Sequence, residues 1–236
     1  MFFDKLYECL IEDQRYLMYL EGLRNTLYIA LGAALIGFFL GVLLTIVRIV
    51  PKRNPVLRVL SKAADLYVTV IRGTPVVLQL LICYFVLLRS IKSVGGGIPV
   101  ACITFGLNSG AYMAEILRSG IRSVDVGQME AARSLGLPWG AGFRKVVLPQ
   151  AVKTTTPTIF NEFISLVKET SVAGYVGIVD LTMVQKYVTT QTMEMFMPLL
   201  IIAVIYLVVV LGLQAIQKAI EKKLGKSDSG HKGEQV

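Results

Sequence analysis

The stretch Thr26–Val47, TLYIALGAALIGFFLGVLLTIV, contains 22 residues without a charged side chain. As an α-helix it would be about 33 Å long, which is enough to cross a hydrocarbon core of about 30 Å. Two further uncharged stretches have a similar length, Ser93–Ala114 and Met195–Gln217. The sequence therefore predicts an all-α integral membrane protein, with its strongest spans at about 26–47, 95–114 and 195–217.

The composition argues against several other classes of protein. Of the 236 residues, 54% are hydrophobic and 17% are charged, whereas soluble domains have about 25% charged residues. In a membrane protein the position of the basic residues matters more than the net charge of +8, so no nucleic-acid partner is predicted. The three cysteines lack a metal-binding spacing, and the single histidine, His231, lies in a polar tail. A metal site and a histidine-based active site are therefore not expected.

Two further spans are predicted from weaker signals. Residues 63–88 are long enough only if the helix continues past a break at Gly73-Thr74-Pro75. Residues 154–179 contain Glu162, Lys168 and Glu169, and ionisable side chains are costly inside a bilayer. This last stretch is counted as a span because Lys153 and Lys218 are both assigned to the cytoplasm, so the chain between them must cross twice, and the last span supplies only one of these crossings.

The distribution of basic residues predicts the topology. The segments after the first, third and fifth spans contain sixteen Lys and Arg residues, and the other three connecting segments contain six. Since basic residues concentrate in cytoplasmic loops, the N-terminus is predicted outside and the C-terminus in the cytoplasm. Residues 1–217 then form one domain of five transmembrane helices, with a long cytoplasmic loop between spans 3 and 4 and a polar cytoplasmic tail at 218–236.

One face of the fourth span is polar. Thr158, Glu162, Ser165 and Glu169 fall on a single stripe at helical spacing. Ionisable groups inside a membrane are functional by default, so the stripe is interpreted as a wall of a solute path, with Glu162 facing an ammonium group. The alternative is that Glu169 and Lys168 lie near a membrane surface and that only Glu162 is deep, held by packing hydrogen bonds.

The break in the second span is a second candidate for the path. In Arg72-Gly73-Thr74-Pro75, proline suits the first turn of a new helix and Thr74 could cap it. Such a helix would direct free N–H groups towards an anionic carboxylate in the bundle interior. The alternative is a simple kink or a turn at the membrane surface.

The long loop is predicted to contain two short helices. The first covers Gln128–Leu135 and is stopped by Gly136 and Pro138, and the second ends at Pro149. The small side chains of Ala131 and Ala132 would allow this first helix to dock closely into a groove on a partner protein. The alternative is a solvated cytoplasmic helix without a partner.

Several of these motifs resemble those of one transporter family. Glu130-Ala131-Ala132, Gly136 and Leu148-Pro149 resemble the EAA loop of permeases from binding-protein-dependent ABC importers. Further segments resemble the polar amino-acid branch of that family, over about residues 20–217: Arg72–Gln79, Ala111–Ile121, Asn161–Ile164 and Lys168–Ser171.

The resemblance implies a transport subunit rather than an enzyme. It would work by alternating access in the cytoplasmic (inner) membrane of a prokaryote, with Glu130, Ala131, Ala132, Gly136, Leu148 and Pro149 coupling it to an ATPase dimer. The chain would bind no cofactor, since ATP and Mg²⁺ belong to the ATPase. Its other implied partners are an extracytoplasmic amino-acid-binding protein and a second permease, which could be a copy or a paralogue.

Two questions stay open at this level. A stand-alone secondary amino-acid carrier would also use charge inside the membrane, although five spans without an internal repeat argue against it. The path residues Glu162, Ser165, Thr158, Glu169, Arg72, Gly73 and Thr74 fit a polar amino acid. Glu162 could contact either a basic side chain or the α-ammonium group that every amino acid carries.

Overall fold

The computed structural model describes residues 2–50 and 54–229, with side chains up to residue 223. Within these ranges the chain is almost entirely helical and has no β-strand, which confirms the all-α prediction. The predicted tail at 218–236 lies partly outside the described residues, and His231 lies entirely outside them. The last helix continues as far as Ser229.

The helices follow one another with short connections. In chain order they are α1 (Phe2–Leu10), α2 (Arg15–Ile49), α3 (Pro55–Arg72), α4 (Val76–Ile82), α5 (Arg89–Gly95), α6 (Gly97–Arg122), α7 (Val126–Ser134), α8 (Trp139–Gly142), α9 (Leu148–Glu169), α10 (Leu181–Thr192) and α11 (Phe196–Ser229). Two π-helical turns, Cys83–Leu87 and Phe143–Val147, and two 3₁₀ segments, Glu12–Gln14 and Thr170–Val176, lie between them.

Three of these helical stretches are long and apolar enough to cross a membrane. They are Glu12–Ile49, Gly97–Arg122 and Phe196–Lys223, and they contain most of the three strongest predicted spans. A fourth candidate is the pair Pro55–Arg72 and Val76–Leu87, between which the helix direction bends by 105°. The predicted break at residues 73–75 is therefore present. The stretch predicted as the span 154–179 is not among these candidates, although α9 is 22 residues long. It is less apolar and contains Glu162, Lys168 and Glu169, and beyond Glu169 it continues as the 3₁₀ segment.

Glycines bring α2 and α6 into close contact. A Cβ on Gly37 would lie 2.9 Å from the Cβ of Ser109, and one on Gly41 would lie 2.6 Å from the Cβ of Met113. The same closeness is seen from α6, where a Cβ on Gly110 would approach Leu40 to 2.7 Å. Such small-residue contacts are typical of helices packed in membranes. Because the contacts advance together along both helices, α2 and α6 run parallel.

Two hydrogen bonds give the directions of α9 and α11. The side-chain amide of Asn25, early in α2, donates to the carbonyl of Val179 at 2.8 Å, just beyond the end of the α9 segment. The amide of Gln217, late in α11, donates to the carbonyl of Pro157 at 3.3 Å, early in α9. Helix α9 therefore runs antiparallel to α2, and α11 runs parallel to α2.

The main core surrounds the broken helix. Ile29, Leu80, Phe105, Leu166 and Val176 are all buried and belong to one cluster. They come from α2, α4, α6, α9 and the following 3₁₀ segment. This cluster holds the α3–α4 break beside α6 and α9, where the polar side chains described below are found.

A cluster of four charged residues joins the C-terminal halves of α2 and α6 to α3. The Arg48 guanidinium, whose side chain is 6% exposed, bonds to Asp65 at 2.7 Å and to Glu115 at 3.0 Å. Arg118 lies 4.0 and 3.8 Å from the same two carboxylates. Because Arg48 is buried and both of its partners are partly hydrated, this cluster should stabilise the bundle more than a surface pair does.

We expect Arg48→Met to lower the free energy of unfolding by about 2 kcal/mol, or roughly 5 °C in Tm, because two carboxylates lose their closest cation. Thermal unfolding of the purified chain in detergent measures this. The matched control is Arg24→Met, since Arg24 pairs with Glu21 at 3.4 Å and both side chains are more than half exposed. This control should change Tm by less than about 1 °C. Equal shifts for the two variants would contradict a stabilising role for the buried cluster.

Candidate solute path and coupling surface

Gln79 stabilises the break between α3 and α4. Its amide nitrogen donates to the carbonyl of Ile71 and to the hydroxyl of Thr74, both at 2.8 Å. Its carbonyl oxygen accepts a hydrogen bond from Asn108 of α6 at 3.0 Å. One side chain thus satisfies backbone and side-chain groups that the break frees, and it connects them to α6.

Thr74 does not cap α4, contrary to the prediction. Its hydroxyl donates to the carbonyl of Val70 at 2.9 Å, so it closes the end of α3. The N-cap position of α4 is occupied by Pro75, which offers no side-chain acceptor. The prediction was wrong because the hydroxyl could bond in either direction, and the carbonyls released by the end of α3 are nearer.

Arg72, the last residue of α3, lies over the ring of Tyr112 in α6, with 5.2 Å between the guanidinium carbon and the ring centroid. This distance is within the range of a cation–π contact. Among the side chains that the structure describes, none forms a salt bridge with Arg72. The residue lines two adjoining polar cavities of about 270 and 460 Å³, and Gly73 lines the larger one.

The polar stripe of α9 is divided between two environments. Thr158 lines the 270 Å³ cavity together with Arg72 and Tyr112. Glu162, one turn further along, lines an otherwise largely apolar cavity of about 290 Å³. There its Oε1 atom accepts a hydrogen bond from the Ser109 hydroxyl at 2.9 Å. The structure therefore places Arg72 and Thr158 in one cavity and Glu162 in another on the same helix.

The two remaining residues of the stripe lie further along α9. Ser165 and Glu169 are partly buried, and neither lines the cavities of Thr158 and Glu162. Glu169 is the last residue of α9, next to the exposed Lys168. This arrangement corresponds in part to the alternative interpretation of the stripe, in which only Glu162 is deep.

Several polar residues at this site were missed in the sequence. Asn108 donates a hydrogen bond to Gln79, and Ser109 donates one to Glu162. Arg48 and Glu115, from the charged cluster, line the larger polar cavity. Asn108 and Ser109 are nearly fully buried. The signal that could have identified them is an amide and a hydroxyl side by side in the middle of an uncharged span, because buried polar groups need a partner.

The first predicted loop helix is present as α7. The Asp125 carboxylate caps it by accepting a hydrogen bond from the N–H of Gly127 at 2.6 Å. Gly136 follows its C-terminus with φ of +82°, in the left-handed region where side chains other than glycine are disfavoured. The helix therefore ends where the sequence predicts, and for the predicted reason.

The face that α7 exposes differs from the prediction. Ala132 is buried against α8. A Cβ atom added to Gly142 of α8 would lie 3.4 Å from the Cβ of Ala132. Glu130 and Ala131 are exposed on the other side of the helix. The prediction that both alanines dock on a partner is therefore wrong for Ala132, which packs inside its own chain.

The second predicted loop helix does not end at Pro149. The chain is helical from Trp139 through a π-turn into α9, and Pro149 lies in the first turn of α9, where a missing N–H is tolerated. Leu148 and Pro149 are exposed there. Gln150 donates to Gln128 of α7 at 3.3 Å, so these residues lie near the first loop helix.

Residues 37–226 match the family described as "Binding-protein-dependent transport system inner membrane component". The chain belongs to this family. It is a transport component of the inner membrane rather than an enzyme, and membership in a binding-protein-dependent system argues against the stand-alone carrier. The predicted family is thereby confirmed.

Similar proteins within this permease family are bacterial. The chain is 41% identical to the arginine transport system permease protein ArtQ of Bacillus subtilis, over 89% of this chain and 93% of the relative. It is 36% identical to the putative glutamine transport system permease protein GlnP of Rickettsia bellii, over 93% and 99%. Among solved structures, the crystal structure of an amino acid ABC transporter with histidines is 34% identical, with a TM-score of 0.80 over 87% of this chain and 94% of that one.

Proposed function

We propose that the chain is the permease subunit of an ATP-driven importer of polar amino acids in a prokaryotic inner membrane. The names of ArtQ and GlnP support this substrate class, since both are amino-acid transport permeases. ATP and Mg²⁺ are bound and used by a separate ATPase dimer, and an extracytoplasmic binding protein delivers the solute. A second permease, either a copy or a paralogue, supplies the other half of the path.

The helix directions support the proposal of five membrane crossings. Because α2 and α6 run parallel, we count the bent pair α3 and α4 as one crossing that returns the chain to the starting side. Helix α9 returns the chain again and α11 crosses last, as the contacts of Asn25 and Gln217 indicate. The bias in basic residues supports an external N-terminus and a cytoplasmic loop around α7. Residues 1–217 then form one transmembrane domain, and 218–236 form the cytoplasmic tail.

The observation that carries the proposed path is the carboxylate of Glu162, which lies in a cavity of α9 and accepts a single side-chain hydrogen bond. A carboxylate in this position attracts a cation, either a basic side chain or an α-ammonium group. The guanidinium of Arg72, which lines a different cavity, suits the α-carboxylate of an amino acid moving along the path. Thr158 and Gly73 line the cavities beside Arg72, with Thr74 at the break itself, while Ser165 and Glu169 continue the stripe towards the other end of α9.

The proposed contact with the ATPase uses the exposed face of α7. Glu130 and Ala131 form this face, Gly136 fixes the direction of the chain after it, and Leu148 and Pro149 lie at the adjoining start of α9. Ala132 supports the face from inside by packing against α8. Closure of the nucleotide-binding domains would then move α7 as a rigid body and change the access to the path.

Substrate-stimulated ATP hydrolysis tests this function. The chain is purified with its ATPase and binding protein, placed in lipid, and assayed with arginine, lysine and glutamine. Stimulation by arginine and lysine alone is expected if Glu162 binds a basic side chain. Stimulation by glutamine as well would assign Glu162 to the α-ammonium group. Failure to assemble with the ATPase would contradict the coupling role of α7.

A further inference from the structure

Helix α1 has an apolar surface that is wider than its contact with the protein. At 100° per residue, six of its nine side chains form an apolar arc of about 160°: Phe2, Phe3, Leu6, Tyr7, Cys9 and Leu10. Asp4, Lys5 and Glu8 occupy the rest of the circumference. A helix of this kind needs an apolar environment along the whole arc.

The protein covers only one side of this arc. Cys9 is fully buried, and Leu6 and Leu10 pack against the same core cluster as Val188 of α10 and Met197 of α11. On the other side, Phe3 is 79% exposed and Tyr7, one turn later, is 60% exposed. These two aromatic side chains, on one face of the helix, are therefore covered by the protein much less than the side that contains Cys9.

The position of α1 is held by polar contacts, so the exposed face has a defined orientation. Asp13 and Gln14 both have positive φ, at 51° and 56°, and they turn the chain sharply between α1 and α2. The buried Arg15 guanidinium donates to the carbonyl of Glu8 and, at 3.3 Å, to the side chain of Gln191 in α10. Lys5 forms a salt bridge with Glu194.

The apolar arc of α1 also adjoins a membrane-spanning helix, through Phe2. Phe2 and Phe196 line one cavity of about 340 Å³, and Phe196 is the first residue of α11. Phe196 is 66% exposed, as is the preceding Met195 at 67%. The apolar surface of α1 is thus continuous with the surface of α11 at its start. At such a boundary between hydrocarbon and water, aromatic side chains are enriched.

We propose that α1 is an interfacial helix that lies in the headgroup region of the leaflet opposite the coupling loop, with Phe3 and Tyr7 inserted among the lipid chains. Its charged arc contains two acidic residues and one basic residue, so apolar burial rather than attraction to anionic lipid holds it there. The proposal rests on membership in an inner-membrane family and is independent of the amino-acid path.

The test measures contact of α1 with lipid. The only tryptophan of the chain, Trp139, is replaced by Phe. Phe3→Trp in the apolar arc or Glu8→Trp in the charged arc is then added, as a matched pair about 140° apart around α1. The full chain is placed in bilayers of phosphatidylethanolamine and phosphatidylglycerol, with or without bromine near the start of the acyl chains. Brominated lipid should quench Phe3→Trp at least about twofold more strongly than Glu8→Trp, because only the first face is apolar.

Two results would overturn the proposal. Equal quenching of the two variants would mean that α1 does not present one face to lipid. If Phe3→Trp were shielded both from brominated lipid and from iodide in water, a protein surface, such as a second copy of the chain, would cover it. Tyr7→Trp repeats the measurement one turn away, and unchanged thermal unfolding of each variant shows that the fold is retained.

Discussion

Replacing Glu162 with Gln is expected to reduce uptake of arginine and lysine by about tenfold or more, because a charge-assisted contact worth about 1.5–3 kcal/mol is lost. The amide has the shape of the carboxylate and can still accept the hydrogen bond from Ser109, which spans 2.9 Å. The fold should therefore be retained while the negative charge is removed from the cavity. Uptake into proteoliposomes that contain the complete transporter measures the effect, with glutamine uptake expected to fall less.

The matched control for this variant is Glu169→Gln. Glu169 belongs to the same polar stripe, but it is the last residue of α9 and lines neither cavity of Glu162 or Thr158. Because Glu169 lies at the end of the proposed path and outside both cavities, we expect it to reduce uptake less than about threefold, a smaller loss than that of Glu162→Gln. Equal losses of arginine and glutamine uptake in Glu162→Gln would indicate that Glu162 binds the α-ammonium group, which both solutes carry, rather than a basic side chain. Unchanged uptake of both solutes would contradict the proposal that Glu162 lines the path.

Gly136→Val is expected to uncouple transport from ATP hydrolysis, with uptake reduced by about fivefold or more. At φ of +82° a side chain is disfavoured by about 1–2 kcal/mol, and a β-branched one is disfavoured most. No atom lies within 4 Å of the position that a Cβ would take, so the cost comes from the backbone rather than from a clash. The end of α7 should then rearrange, and its exposed face would no longer match the ATPase.

Gly136→Asn is the control, because asparagine tolerates the left-handed region better than other residues. It should retain most of the uptake while adding a larger side chain than glycine. Both variants should insert in the membrane at normal levels, as measured by quantitative blotting of membranes. If Val and Asn had the same effect on uptake and on substrate-stimulated ATP hydrolysis, backbone conformation at Gly136 would not be what couples the two proteins.

The charged cluster around Arg48 includes Glu115, which lies on α6 between Ser109, the partner of Glu162, and the connection to α7. Arg48, Asp65 and Glu115 join α2, α3 and α6, and Arg48 and Glu115 line the same cavity as Arg72. Only residues 123–125 separate α7 from α6, so the proposed movement of α7 would be passed to α6 through a short connection. The cluster is thus in a position to keep α6 and α3 together when the loop moves.

The features that were predicted correctly depend on local physics. An uncharged stretch such as Thr26–Val47 must be helical in a bilayer, because lipid offers no partner for backbone groups. Gly136 ends α7 because the conformation it adopts favours glycine. The break at residues 73–75 is marked by glycine and proline close together, and this combination disfavours the continuation of a helix. Each of these conclusions requires only a few neighbouring residues.

The sequence by itself determined the class of the protein, the long apolar helices and the break in the second span, because composition and local backbone preferences decide these features. Only the tertiary structure decided which partner each polar group takes. It directed the Thr74 hydroxyl to Val70, buried Ala132 against α8, and joined Glu162 to Ser109 from 53 residues away. A hydroxyl or a carboxylate can bond in several directions, and the packing of distant helices selects which of them is available.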